Sequence, residues 1–412
     1  MFTDTTDTLD PKEKPIKDNY IGFKNTQNNA PKKRIVFPFI EAGLGHIMPM
    51  RAALDSFKAK YGDRCEIIED YFLREEGNDL LNEFADKKIA EVLKVNKSKA
   101  FGTIQHAAMN VIGCTLTTKF LHKAYWKKYY EAGIKRLVAY NADLIFHTYF
   151  STLYYHAEAK AKGLTKAKCV TFCPDPIVGV QWDRRGDLML LSSSRGKDII
   201  AKKYKKTKCR TGYVPFLLRT SIADYTKTRS EYKQMLDISS DKFTILLADG
   251  AYGAAKLKDT VLNLLKSDYP IAIIAVCGKN EGLYNEFLKL EVPSHIDFRP
   301  FGFTDKMLQL AATCDLFIGR SAASTIAEPA YFGAPAIITR TSTGPEKWIC
   351  DYHVKVAKGA LKITSAKNAA KKAIQFAKNP STMQNLAYGT AIAHRHDGPQ
   401  LIADILWDEL NK

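Results

Sequence analysis

One stretch, residues 314–347, constrains the fold of this chain more than any other part of its sequence. It opens with an apolar run at 315–319, which is bounded by turn residues and is typical of a buried parallel strand. A loop of small residues follows at 320–323, and 324–328 predict the start of a helix with Ser or Thr as its cap. Gly and Pro stop that helix at 333–335, and another apolar run predicts a second strand. The stretch therefore predicts one βαβ unit.

The predicted junction between the small-residue loop and the helix is suited to binding an anion. Free backbone N–H groups and the positive end of the helix dipole meet there, and small residues let a diphosphate approach closely. Glu328, in the first turns of the same helix, is placed to accept hydrogen bonds from two ribose hydroxyls. An acidic residue at that position can equally do no more than favour the start of the helix.

The same stretch resembles the nucleotide-sugar motif of glycosyltransferase family 28. That family includes the GlcNAc transferase of the peptidoglycan lipid intermediate, the monogalactosyldiacylglycerol synthases and the processive diacylglycerol glucosyltransferases. The matching residues are Ser324, Thr325, Glu328, Gly333, Pro335 and 344–347. Pro345 stands where the lipid synthases usually have Gln, and this departure leaves the identity of the sugar open. The resemblance implies an α/β protein of GT-B fold, with two Rossmann-like domains facing a central cleft.

The resemblance also implies a set of residues that contact a UDP-sugar. They are Gly43, Gly45, Gly250, Gly253, Phe303, Arg320, Ser321, Ala322, Ala323, Ser324, Thr325, Glu328, Glu346 and Lys347. In this set, 321–325 and the loop at 250–253 would hold the diphosphate and Glu328 would hold the ribose. The backbone beside Phe303 would pair with uracil, and Glu346 with Lys347 would contact the sugar hydroxyls.

A Gly-x-Gly-His loop at 43–46 follows the first predicted strand. Two glycines allow a tight turn with close ligand approach, although such a pair alone is a weak signal. The loop is similar to the N-terminal loop of family 28, which lies over the active-site cleft, and the resemblance makes His46 a candidate general base. A histidine at a helix start can also be a purely structural hydrogen-bonding residue.

Polar side chains at two further strand ends are candidates for contact with an acceptor. The strand over 141–149 ends in His147 and Tyr149, and strand ends of open α/β sheets face the ligand crevice. Asp175 follows the strand over 168–172 and is similar to the Asp of the lipid galactosyl- and glucosyltransferases. It would orient His46 or the acceptor hydroxyl, or else it is only a turn residue between two prolines.

The net charge of +17 implies an anionic partner, which can be a phosphate-bearing ligand, nucleic acid or an acidic membrane face. Basic residues concentrate at 86–136, where they alternate with aromatic and apolar residues, a composition typical of an interfacial helix on anionic lipid. The alternative is an ordinary amphipathic helix with a solvated basic face. The segment 100–118 is too polar for a good transmembrane helix, and no nucleic-acid motif accompanies the aromatic residues.

The eight cysteines are scattered without a CxxC pair, which predicts reduced thiols rather than disulfides or a zinc site. Residues 1–10 have no apolar core, so no signal peptide is predicted. These features, with the basic segment, predict a cytoplasmic protein that binds peripherally to the inner face of the cell membrane.

Strand–helix alternation begins twice, near residues 34 and 243, and this predicts two Rossmann-like halves. The expected organisation is a disordered tail at 1–31, an acceptor- and membrane-binding domain at 32–218, a nucleotide-sugar domain at 240–385, and a helix at 386–412 that returns to the first domain.

The sequence has no Asp-x-Asp motif, which supports a metal-independent reaction without a cofactor. The expected function is inverting transfer of a hexose from a UDP-sugar to a lipid hydroxyl, such as that of diacylglycerol or a glycolipid. A soluble acceptor, a UDP-sugar 2-epimerase and a non-catalytic nucleotide-sugar or membrane-binding module are the alternatives. The sequence does not reveal which sugar is moved or the oligomeric state.

Overall fold

Two six-stranded parallel sheets organise the protein. The computed structural model describes residues 32–41, 44–97, 127–179, 182–194, 196, 207–250, 255–341, 344–393 and 396–412. The predicted tail at 1–31, the loop glycines Gly43 and Gly253, and residues 98–126 of the basic segment lie outside the described residues. Residues 33–412 form one compact unit.

The first sheet has the strand order β2-β1-β3-β4-β5-β6, and every pairing is parallel. Its strands are β1 (Arg34–Phe39), β2 (Glu66–Tyr71), β3 (Leu144–His147), β4 (Lys168–Cys173), β5 (Leu188–Leu191) and β6 (Arg210–Tyr213). The second sheet has the order β12-β11-β10-β7-β8-β9 and is parallel as well. Its strands are β7 (Phe243–Ala248), β8 (Ile271–Val276), β9 (Asp297–Phe301), β10 (Leu316–Arg320), β11 (Ala336–Arg340) and β12 (Ala360–Lys362).

The strands are joined and covered by helices. In the first half these are α1 (Leu44–Tyr61), α2 (Asp79–Lys97), α3 (Lys127–Ala139) and α4 (Phe150–Ala161). The second half has α5 (Arg229–Gln234), α6 (Ala255–Leu264), α7 (Glu281–Phe287), α8 (Met307–Thr313), α9 (Ala323–Tyr331), α10 (Gly344–Asp351), α11 (Ala366–Lys378), α12 (Gln384–Ala393) and α13 (Gly398–Asn411). One turn of π-helix, Tyr352–Val356, continues α10.

Continuous apolar sequence explains the two central strands of the second sheet. All residues of β7 and β8 are buried, and their sequences, FTILLA and IAIIAV, lack the alternation of a half-exposed strand. Such strands need helices on both faces, and two apolar clusters lie on opposite sides of this sheet. The predicted pair of Rossmann-like domains is therefore confirmed by the structure.

Each sheet has one point at which the strand order reverses. In the first sheet this point lies between β1 and β3, and in the second it lies between β7 and β10. The connections leave in opposite directions there, which opens a crevice at the carboxyl ends of the two strands. These two crevices are where ligands are expected to bind.

The last helix, α13, completes the core of the first sheet. Ile402, Leu406 and Leu410 are fully or almost fully buried in the same apolar cluster as Phe37 and Phe57. Arg210, in β6, binds the buried carboxylate of Glu409 through two hydrogen bonds, of 3.0 and 2.5 Å. The core of the first half therefore includes residues that follow the whole second half in the sequence.

The described ends of the basic segment pair with acidic and aromatic groups. Lys87 donates hydrogen bonds to Glu83 at 2.7 Å and to the Tyr129 hydroxyl at 2.9 Å, and Lys128 lies 3.3 Å from Glu83. The ammonium of Lys128 also lies 4.7 Å from the Tyr129 ring centroid. The predicted membrane surface thus falls mostly on residues outside those described. Among the described helices, none combines the length and apolar character needed to cross a membrane.

Candidate active site

The crevice of the second sheet depends on two glycines. A side chain at Gly319, in β10, would clash with the carbonyl oxygen of Ala248 in β7, so glycine is required for these strands to pair this closely. Gly250 follows β7 with φ of +81°, a conformation that favours glycine. A Cβ at Gly250 would lie 3.1 Å from the Arg320 guanidinium. The glycines therefore bring Arg320 over the end of β7.

Helix α9 starts in this crevice without a side-chain cap. Its N-cap is Ala322, so the predicted capping by Ser324 or Thr325 is wrong, because the helix begins earlier than those residues. The first backbone N–H groups consequently have no capping side chain, which suits an anion. The buried hydroxyl of Ser324 has no hydrogen-bond partner among the described residues, whereas the Ser321 hydroxyl donates to the carbonyl of Glu346 at 2.8 Å. The Ser321 hydroxyl therefore has a structural role, whereas the Ser324 hydroxyl is available to bind a ligand.

Four charged side chains meet at the carboxyl edge of the second sheet. The Arg320 Nε lies 3.2 Å from the Glu346 Oε1, and an Arg340 Nη1 lies 3.6 Å from the Asp249 Oδ2. Two cations and two carboxylates give a formal charge of zero. Burial raises the pKa of Asp249, while Arg340 and Arg320 oppose that shift. Both arginines end a strand, and Arg320 directly precedes the short loop that leads into α9.

Glu328, expected to bind ribose, is buried and paired. The segment between the sheets supplies its partner, Arg219, whose Nε and Nη2 lie 2.8 and 2.7 Å from the Glu328 Oε1. Burial raises the pKa of Glu328, and the charge of Arg219 counteracts this rise. Both contacts use Oε1, which leaves Oε2 outside the pair. The carboxylate is therefore held in one orientation.

Replacing Arg219 by Gln is expected to lower the free energy of unfolding by about 2 kcal/mol, because a buried carboxylate loses the cation that bonds to it. Chemical denaturation at pH 7 measures the change. Arg51→Gln is the control, since Arg51 lies 3.7 Å from Glu69 on the surface and such pairs contribute about 0.5 kcal/mol. Equal losses in the two variants would contradict a structural role for the Arg219 pair.

The crevice of the first sheet holds His46 and Tyr149, whose ring centroids are 4.3 Å apart. The His46 Nε2 lies 3.1 Å from the carbonyl oxygen of Ile40, and because a carbonyl only accepts, Nε2 carries the proton. The Nδ1 lone pair is then able to accept a proton. Burial lowers the pKa of His46 to about 4, so the ring is neutral at pH 7. Apart from its chain neighbours and its own helix, no described atom lies within 4 Å of where a Cβ at Gly45 would stand.

Asp175 links the two halves electrostatically. It is half-buried between Pro174 and Pro176 at the end of β4. Burial and the charge of Glu346, from the second half, raise the pKa of Asp175 to about 7. The Asp175 carboxylate therefore lies within electrostatic range of Glu346 in the charged cluster, and it changes protonation state near neutral pH.

A small cavity of about 30 Å³ lies beside Asp175. Its lining comes from both halves and from the segment between them: Pro174, Pro176, Ser192, Phe216, Ala323, Ala327, Ile349, Tyr352 and His353. The walls are mostly apolar. Residues that follow β4 and β5 in the first half and residues of α9 in the second half thus line one common space.

His147 does not reach that space. Its ring is fully buried, with Nδ1 3.0 Å from the Thr152 hydroxyl and Nε2 2.8 Å from the His156 Nδ1. The His156 Nε2 in turn lies 3.2 Å from the carbonyl oxygen of Ala167. The expectation that His147 contacts an acceptor is corrected by this geometry, because its ring points into the first domain rather than out of the strand end. Cys169 lies close to the two imidazoles, whose ring nitrogens all take part in this hydrogen-bonded chain.

Two other predicted contacts lie at the surface. Phe303 is 54% exposed, with the ammonium of Lys279 5.5 Å from its ring centroid. Lys347 is exposed in α10, next to the buried Glu346. Their roles toward uracil and sugar stay predictions.

Sequence reasoning missed Arg219, Asp249 and Arg340. Arg340 ends a strand just as Arg320 does, so the same signal could have identified it. Asp249 directly follows a buried strand and precedes a glycine, which is also a readable signal. Arg219 lies between the sheets and only the fold brings it to Glu328.

Comparison with known proteins places the second sheet in a family. Residues 244–346 match the glycosyltransferase family 28 C-terminal domain. The chain carries a family 28 domain. This match runs from the second residue of β7 through β11 and contains the complete charged cluster, and it confirms the resemblance seen in the sequence.

Two curated relatives extend the family 28 comparison. The processive diacylglycerol β-glucosyltransferase of Bacillus subtilis is 29% identical over 112 residues, which span 27% of this chain and 29% of the relative. The chain therefore aligns with less than a third of that relative's length. Monogalactosyldiacylglycerol synthase 2 of Arabidopsis thaliana, a chloroplastic protein, is 22% identical over 377 residues, or 86% of this chain and 75% of the relative.

A solved structure shows the same fold around the family 28 domain. The Anabaena protein HepE, crystallised in complex with UDP-glucose, superposes with a TM-score of 0.52 at 13% identity. The superposition covers 92% of this chain and 99% of HepE. The predicted GT-B fold, with its two Rossmann-like domains, is confirmed.

Proposed function

We propose that this protein is a glycosyltransferase that moves a hexose from a UDP-sugar to a hydroxyl of a membrane lipid. The observation that carries the proposal is the uncapped start of α9, which lies beside Arg320 at the strand-order reversal of a family 28 domain. Backbone N–H groups, the helix dipole and a cation converge there, as a diphosphate requires. The HepE complex with UDP-glucose and the two lipid-directed relatives support the choice of donor and acceptor.

The donor would lie against the second sheet. Its diphosphate would contact 322–325 and Arg320, its ribose Glu328, its uracil the backbone near Phe303, and its sugar Glu346 and Lys347. Arg320 and the positive end of α9 would stabilise the negative charge that develops on the leaving UDP, so these groups supply the electrostatic part of catalysis. No step of this scheme calls on a metal or a cofactor.

The acceptor would enter from the first sheet, near Tyr149. A base, either Asp175 or His46, takes the proton of the acceptor hydroxyl. The hydroxyl oxygen then forms a bond to the anomeric carbon while the bond from that carbon to the phosphate oxygen breaks. Attack from the face opposite the leaving UDP inverts the anomeric configuration.

Release of UDP that depends on an added lipid is the expected result of the direct test. The purified protein is incubated with a panel of UDP-hexoses and a lipid extract, and the product is identified by mass. We expect one donor to give a glycolipid heavier than its acceptor by one hexose residue. Release of UDP without any acceptor, or transfer only to soluble compounds, would contradict the proposal.

The proposed site of action is the inner face of the cell membrane, where the protein would bind peripherally. The net charge of +17 supports attraction to acidic lipid. Sedimentation with vesicles that contain anionic lipid, compared with vesicles of zwitterionic lipid alone, tests this localisation. Binding to both kinds to the same extent would contradict it.

A further inference from the structure

One carboxylate in the crevice of the second sheet, that of Asp249, has an ion-pair partner, Arg340, but accepts no hydrogen bond from the described residues. Asp249 is 5% exposed, and within the described parts of the chain neither of its side-chain oxygens has a hydrogen-bond donor. The nearest cation, an Arg340 Nη1, lies 3.6 Å from Oδ2, beyond hydrogen-bonding distance. A buried carboxylate in this state is costly, because water has been removed and no donor has replaced it. The arrangement therefore needs a hydrogen-bond donor from outside the described protein atoms.

The position of Asp249 identifies the part of a donor substrate that it faces. It directly follows β7, on the same sheet edge as Arg320 at the end of β10 and Arg340 at the end of β11. Glu346 completes the cluster and raises the pKa of Asp249. Two arginines can face a diphosphate, whereas a carboxylate repels one, so an uncharged part of the substrate that carries hydroxyl groups is the better match for the two acidic groups.

A metal ion is a poorer explanation than an organic ligand. Within the described parts of the chain, the side chains close enough together to hold a metal are His147, His156 and Cys169, in the other half. Asp249 and Glu346 do not form such a group with a third ligand. Sugar hydroxyls, by contrast, are neutral hydrogen-bond donors, and a carboxylate with two free oxygens can accept from two of them.

We infer that Asp249 accepts hydrogen bonds from hydroxyls of the transferred sugar and thereby determines which UDP-sugar the site accepts. This inference rests on the proposed function, since it takes a UDP-sugar as the substrate. It adds a specificity-determining residue to the contacts expected at Glu346 and Lys347. A site with buried polar groups discriminates strongly against a ligand that lacks their partners.

The experiment compares the affinities of UDP and of the preferred UDP-sugar by calorimetry, in wild type and in Asp249→Asn. The amide keeps the shape of the carboxylate but loses one acceptor oxygen and the charge. We expect the affinity for the UDP-sugar to fall by about 10-fold or more. The affinity for UDP should stay the same or increase, because a negative charge near the diphosphate has been removed. Equal changes for the two ligands would overturn the inference.

The matched control is Glu409→Gln, another removal of a buried carboxylate, which lies in the first half and binds Arg210. It should leave both affinities unchanged, and a sugar-selective loss in this variant would overturn the assignment to Asp249. If wild type binds neither UDP nor any UDP-sugar, the proposed function fails, and the inference fails with it. If wild type binds UDP and a UDP-sugar but Asp249→Asn does not weaken UDP-sugar binding selectively, only the inference is contradicted and the proposed function stands.

A second measurement begins with the wild-type protein, and this first part does not depend on the folding of a variant. UDP-sugar analogues that each lack one hydroxyl are tested in turn. We expect at least one analogue to bind about 10-fold more weakly than the parent donor. In Asp249→Asn, removal of the same hydroxyl from the ligand should lower the affinity little further, because that hydroxyl has already lost its acceptor. The inference would be overturned if the effects of the substitution and of the missing hydroxyl on affinity were additive. It would also be overturned if no analogue bound more weakly to the wild type.

Discussion

Replacing Asp175 by Asn is expected to lower the rate of sugar transfer by about 10²- to 10⁴-fold, the usual contribution of a general base. The affinity for UDP should be nearly unchanged, because Asp175 belongs to the first half and the proposed nucleotide site to the second. Steady-state kinetics with the glycolipid assay measure the rate, and calorimetry measures UDP binding. Retention of full turnover would show that Asp175 is not the base.

The pH dependence separates Asp175 from His46 as the proton acceptor. A base acts in its deprotonated form, and burial with the charge of Glu346 raises the pKa of Asp175 to about 7. The value of kcat/KM should therefore rise with pH through about 7 and then level off. The pKa of His46 is lowered to about 4, so a reaction that depends on His46 alone would already be fully active at pH 6. If His46→Ala loses activity and the kcat/KM of the wild type rises through about pH 4 instead, the base is His46.

The second large effect is expected at Gly319. Replacing it by Ala places a Cβ against the carbonyl oxygen of Ala248 in the neighbouring strand, where neither backbone can move without breaking the β7–β10 pairing. We expect the free energy of unfolding to fall by about 3 kcal/mol, at the upper end of overpacking effects. Urea denaturation measures the loss.

Gly282→Ala is the control for that measurement. Gly282 lies in α7, and a Cβ there would come no closer than 3.7 Å to another residue, the Asn280 side chain. Alanine is a better helix former than glycine, so stability should stay the same or rise by less than about 1 kcal/mol. A Gly319→Ala protein as stable as wild type would show that the strands can separate at little cost.

Local signals allowed much of the fold to be predicted. The βαβ unit around α9 was readable because the apolar runs, the small loop and Gly333 all lie within one short stretch. Gly333 has φ of +77°, which accounts for the end of that helix. The charged groups that the fold brings together from distant segments were harder to predict. Arg219 and Glu328 are separated by 109 residues, and no short-range pattern relates them.

The direction in which a side chain points at a strand end was the other feature that could not be predicted from the sequence. His147 ends a strand, and a residue there can face the crevice or the domain interior. Only the position of His156, in the following helix, decides between these directions. The N-cap of α9 was misplaced for a related reason, because the backbone, and not a capping side chain, sets where this helix starts.

The return of α13 to the first sheet has a consequence for how the protein is made. On the ribosome, β1 to β6 emerge first, yet Ile402 and Leu406 are needed to cover their apolar face. In the nascent chain, a hydrophobic groove of the first half therefore stays exposed until the whole second half has been translated. Synthesis of this protein should accordingly depend more on chaperones that shield such grooves than synthesis of a protein with two independently complete domains would.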